Sequence, residues 1–89
     1  MSEVEVQITN RLGLHARAAA RFVHLANSFK SHITVIKGDS RVDGKSILGL
    51  LTLAASKGTR LRLAARGVDE QEALERLAEL VRKCFEEEG

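Results

Sequence analysis

Asn10-Arg11-Leu12-Gly13-Leu14-His15-Ala16-Arg17-Ala18-Ala19-Ala20 is the stretch on which the reading of this chain turns. Before it, Val4, Val6 and Ile8 alternate with Glu5, Gln7 and Thr9, the period of a half-buried strand over residues 4–9. After it, Ala19, Phe22, Val23, Ala26 and Phe29 recur at three- and four-residue steps, which predicts a helix over residues 16–29. Gly13 gives the free φ that a sharp strand-to-helix turn needs. His15 then stands at the mouth of the helix, where the first backbone N–H groups lack partners and the dipole is positive. Such a terminus is suited to an anion.

That placement suggests phosphoryl chemistry. A phosphoryl acceptor must present a neutral imidazole, and here the ring stands between the helix end and the Arg17 guanidinium. The same groups, with the backbone N–H of Ala16 and Arg17, favour the anionic phosphorylated product. Phosphoryl transfer asks mainly for positioning and charge stabilisation. One histidine, one arginine and the amides of a helix start make an adequate carrier site, though not a stand-alone enzyme. A lone histidine would ordinarily be read as a surface group or a cap; Gly13, Arg17 and the helix start reverse that reading.

Outward from this stretch, Arg17, Arg21, His24 and Ser28 line the polar side of the first helix. His32–Lys37 reads as a strand with Ile33 and Val35 inward, Gly38-Asp39-Ser40 as a turn, and Arg41-Val42-Asp43 as a short returning strand. Ser46 is a plausible N-cap for a short helix through Leu53. Ile47, Leu48, Leu50, Leu51 and Leu53 surround that helix with apolar groups, more than a small domain can cover. Ile47, Leu48 and Leu51 are therefore expected to form a docking patch. Residues 60–66 alternate again, with Arg60, Arg62 and Arg66 outward, where Glu3 and Glu5 could pair with them across a sheet. A last helix opens at Asp69 with Glu72 placed for a capping box, and carries the apolar stripe Ala73, Leu74, Leu77, Leu80, Val81, Cys84 and Phe85. Glu86-Glu87-Glu88-Gly89 puts negative charge at the unfavourable end of the dipole and is expected to fray.

The order β-α-β-β-α-β-α, with one wet face per strand, predicts an α+β fold: a four-stranded, mostly antiparallel sheet with three helices on one face. At 89 residues the chain reads as a single domain over 1–89. A net charge of +2 and three aromatics, all Phe, argue against nucleic acid, including a small RNA-binding domain. No apolar run approaches a membrane span, and the N-terminus lacks the build of a signal peptide. One cysteine excludes an internal disulfide and fits a cytoplasmic location. His24, His32 and Cys84 have no metal-ligand spacing, so neither metal nor cofactor is expected. Cys84 reads as a buried small hydrophobe.

Gly13-Leu14-His15-Ala16-Arg17 resembles the active-site signature of HPr, the histidine phosphocarrier family of the bacterial phosphoenolpyruvate:sugar phosphotransferase system. Lys45-Ser46-Ile47-Leu48-Gly49-Leu50 resembles its regulatory-serine signature, and Ala55-Ser56-Lys57-Gly58 its segment before the last strand. The likeness covers essentially the whole chain and extends to the nitrogen-branch relative NPr. It implies an open-faced β-sandwich in which His15 takes phosphate on Nδ1 from phosphorylated enzyme I and passes it to a IIA protein or domain, with Arg17 assisting. It also implies that Ser46 is the target of an HPr kinase/phosphorylase where the organism has one, and that the carrier works as a monomer. Ala18 departs from the family's usual proline after the arginine. An alternative from another class is an HPr-like regulatory module, of the nitrogen or carbon-control branch, acting mainly by docking. Retention of His15 beside Arg17 favours the carrier.

Overall fold

The computed structural model describes residues 1–86. Its elements are β1 (Ser2–Gln7), α1 (Ala16–Ala26), β2 (His32–Lys37), β3 (Ser40–Asp43), α2 (Ile47–Thr52), β4 (Arg60–Arg66) and α3 (Glu70–Arg82). Among the described residues the four strands make one sheet in the order β1-β4-β2-β3, with every neighbouring pair antiparallel. The fold is the α+β, antiparallel four-stranded sheet that the alternating strands predicted, and the open-faced β-sandwich that the resemblance implied. Val6, Ile33, Val35, Leu61, Leu63 and Ala65 face the helices and join Phe22, Val23, Leu50, Leu77 and Phe85 in one core. No described helix is long and apolar enough to cross a membrane.

The opposite face of the sheet carries charge. Arg60 reaches Glu5 at 3.5 Å and Arg62 reaches Glu3 at 3.3 Å. Both pairs are diagonal, since the register sets Glu5 opposite Arg62 and Glu3 opposite Ala64. Arg66 lies beyond the reach of β1's ladder and stands opposite His32 of β2 instead.

Several local expectations change. β1 begins and ends two residues before the alternation suggested, because Ile8 leaves the β1–β4 ladder to bond the turn before β4, its N–H donating to the Thr59 carbonyl. α1 stops at Ala26, although Phe29 is still buried beneath the following turn. The capping box at α3 does not form. Asp69 turns across to the connection between α1 and β2, where it accepts from the Lys30 amide at 2.8 Å, the Ser31 amide at 3.0 Å and the Ser31 hydroxyl. The Ser31 hydroxyl above all, then the Lys30 amide, hold the Asp69 carboxyl below its ordinary value. Glu70, not Glu72, reaches back at this terminus, accepting from the Gly67 N–H at 3.2 Å and from Ser2 of β1.

The end of α3 also differs. The helical stripe does not continue through Cys84 and Phe85: Cys84, Phe85 and Glu86 adopt left-handed φ angles of 56°, 57° and 64°. The reversal tucks Phe85 fully into the core, while Arg21 of α1 donates to its carbonyl at 2.7 Å. Cys84 is left only half-buried, its Sγ 3.4 Å from Thr9 Oγ1, and is not the buried hydrophobe expected. The fraying expected of Glu87, Glu88 and Gly89 lies outside the described residues.

Ala54, just past α2, is a further left-handed residue, with φ 49° and an exposed side chain. A Cβ in that conformation is strained against the neighbouring carbonyl, which is why glycine is usual just past a helix end. Ala54→Gly should therefore stabilise the protein by about 0.5–1 kcal/mol. Urea unfolding checks this, and an unchanged or lower midpoint would show that the turn carries no such strain.

Candidate functional site

The segment between β1 and α1 is built on a turn that opens with Asn10 and closes with Gly13, whose N–H donates to the Asn10 carbonyl at 3.1 Å. Asn10 is buried and its Nδ2 donates to the Gly13 carbonyl at 2.8 Å. The His15 N–H donates to that same carbonyl at 2.9 Å. The Asn10 side chain thus grips the group from which the His15 backbone hangs. Sequence reading quoted Asn10 without giving it a role. Asparagine at the first position of a turn with glycine at the fourth was the available signal.

Gly13 meets two demands together. Its φ is +69°, and a Cβ added there would lie 2.6 Å from the Ala55 carbonyl oxygen and 2.9 Å from the Ser56 Cα. The connection after α2 therefore packs directly on this turn, and the Leu14 N–H donates to the Ala55 carbonyl at 2.8 Å. Leu14 itself is buried, which sets the start of α1 against the core.

His15 is the N-cap of α1, extended at φ −81° and ψ 179°, and half-buried. Its Nδ1 accepts the Arg17 N–H at 3.3 Å. A ring nitrogen that accepts a hydrogen bond presents its lone pair to the donor, so Nδ1 lies against the Arg17 amide. It faces the amides of the first helical turn, where a phosphoryl group bonded to it would meet N–H donors and the positive end of the dipole. Ala16 and Arg17 are exposed, so an incoming group can reach this turn. Ala18, in the place of the family's usual proline, is buried and helical.

The second sequence-predicted site lies on α2. Ser46 is its N-cap, half-buried, with Oγ accepting from the Gly49 N–H at 3.0 Å. Of the apolar residues after it, Leu50 and Leu53 enter the core, Leu48 is 77% exposed and Ile47 40% exposed. Leu51 is partly exposed and also packs against the core. Leu12, 64% exposed in the His15 segment, is an apolar surface residue that sequence reading passed over. His24 and His32 are exposed, and no group of three or more His, Cys, Asp or Glu among the described residues could hold a metal ion.

Residues 2–83 match the family model described as the PTS HPr component phosphorylation site. The chain is 49% identical over 87 residues to phosphocarrier protein HPr of Neisseria meningitidis, covering 98% of each chain. It superimposes on crystalline HPr from Thermoanaerobacter tengcongensis with a TM-score of 0.95, at 45% identity and 100% coverage of both chains. A structure of Crh, the catabolite repression protein of Bacillus subtilis and a domain-swapped dimer, matches with a TM-score of 0.77 at 46% identity, over 94% of this chain and 97% of that one.

The doubly constrained glycine yields a test of how the site is held. Gly13→Ala combines left-handed strain with overpacking against residues 55–56, and should cost about 2–4 kcal/mol. Gly38→Ala, with φ +56° and open space where its Cβ would lie, should cost only the backbone strain, about 1–2 kcal/mol. Paired urea titrations compare the two. Equal losses would mean that the contact with residues 55–56 places no constraint on the His15 segment.

Proposed function

Because the chain belongs to the HPr family of phosphocarrier proteins, we propose that His15 is its phosphoryl acceptor, taking the group from phosphorylated enzyme I and giving it to a IIA protein or domain. The observation that carries this reading is the Nδ1 of a helix-capping histidine turned toward the amides of its own helix. The Nδ1 lone pair attacks phosphorus, a nitrogen–phosphorus bond forms, and the donor's bond to phosphorus breaks. The Arg17 N–H, held on Nδ1 beforehand, passes to a phosphoryl oxygen, and the Arg17 guanidinium neutralises charge from the exposed side. Return of the group to a IIA partner reverses these motions. Nothing in the exchange needs a metal or cofactor, and the protein carries the group without turnover of its own.

The chain then acts as a single cytoplasmic domain in sugar transport or its nitrogen-regulatory counterpart. Its lone cysteine, which cannot form an internal disulfide, supports the location. We take the working form to be a monomer, since the described residues bury their apolar stripes within one copy; the swapped dimer of Crh marks the alternative that sedimentation would reveal.

Incubation with enzyme I and labelled phosphoenolpyruvate tests the acceptor. The wild-type protein should take up one acid-labile phosphate and His15→Ala none. Label retained by His15→Ala would move the acceptor to His24 or His32.

Ser46 is proposed as a regulatory phosphorylation site, open to an HPr kinase/phosphorylase, and Ile47 and Leu48, with the part-buried Leu51, as the docking patch beside it. The exposure of Leu48 and Ile47 directly after the capping serine favours this second activity, and with it the docking role of Crh-like relatives. Aspartate caps a helix as well as serine does, so Ser46→Asp should keep the fold. Its charge must be desolvated at the rim of the patch, so phosphorylation by enzyme I should slow, with part of the loss recovered at higher salt. A wild-type rate at low salt in the folded variant would reduce Ser46 to a cap.

A further inference from the structure

Between α1 and α3 runs a groove of about 810 Å³, within the range of small-molecule sites. Arg17, Arg21 and His24 line one wall and Arg76 and Lys83 the other, with apolar surface from Leu25 and Leu80. Arg17, Arg21 and His24 are spaced at four and three residues, so they share one face of α1. Glu79 and Glu86 are the carboxylates among the described lining residues. Glu79 is engaged by Lys83 at 2.8 Å. Two carboxylates against four permanent cations leave the groove with an excess of two positive charges. Arg21 is already positioned by the Phe85 carbonyl, which takes one of its five donors.

We propose that this groove binds a compact metabolite bearing two or more phosphate groups on a partly apolar body, such as a nucleoside triphosphate. The cations converge on a concavity from two helices, so one small multivalent anion can meet both walls. A flat acidic protein surface would meet only the rims. Guanidinium groups favour phosphate through paired hydrogen bonds, and three of the lining cations are arginines. Leu25 and Leu80 give a base or ring something to cover. The groove draws on α3, which supplies nothing to the patch on α2, and it reaches Arg17 beside His15. Occupancy would therefore divert the Arg17 guanidinium from a phosphoryl group on His15.

Binding can be read without any transfer partner, so its failure is distinct from failure of the carrier reading. Adenosine triphosphate and inorganic tripolyphosphate are titrated separately into the full chain, with sulfate at matched ionic strength as control, and followed by backbone-amide NMR. Saturable shifts are expected at residues 20–25 and 76–83, with tighter binding of adenosine triphosphate where the apolar surface contributes and equal binding where the phosphates alone do. Arg76→Gln combined with Lys83→Gln should weaken binding by roughly tenfold or more. Either single variant replaces the pair should the double variant fail to fold. The proposal is overturned by shifts that only track sulfate, or by affinity unchanged in the folded variant. It is equally overturned if the variant leaves nucleotide affinity intact and weakens enzyme I association, since the groove would then belong to a protein interface.

Discussion

The hydrogen bond from the Leu14 N–H to the Ala55 carbonyl, 2.8 Å long, ties the segment that carries His15 to the connection leaving α2. It can form only because Gly13 has no Cβ, since one would meet that same carbonyl oxygen. With Leu14 fixed, its side chain enters the core and the next residue becomes the cap of α1. Asn10 secures the turn from the other side through the Gly13 carbonyl. The ring of His15 is thereby set by backbone contacts on two sides rather than by side-chain partners alone.

The same bond links the His15 segment to the residues just past α2. α2 begins at the Ser46 cap and ends at Leu53, and Ala55 follows two residues on. The strained Ala54 lies between Leu53 and Ala55.

What was legible in the sequence was what is decided locally. The strand alternations, the cap at His15 and the cap at Ser46 each follow from a few adjacent residues, and the structure has them all. Asp69 was misread because its carboxylate is contested: the amides of Lys30 and Ser31, distant in sequence, outcompete those of its own helix. Cys84 and Phe85 were misread because the stripe of α3 runs on in period past the point where the chain reverses. Only the space beneath α1 shows that Phe85 is better buried from a left-handed turn than from a continued helix.

β1 and β3 form the two edges of the sheet, and each edge discourages a neighbour. β3 is four residues long and carries Arg41 and Asp43, too short and too charged to template another strand. β1 exposes Glu3 and Glu5, so a second copy laid alongside it in antiparallel register would bring carboxylates against carboxylates. Arg60 and Arg62 relieve that charge only within the copy to which they belong. The charges that line the open face thus also disfavour edge-to-edge pairing of one sheet with another.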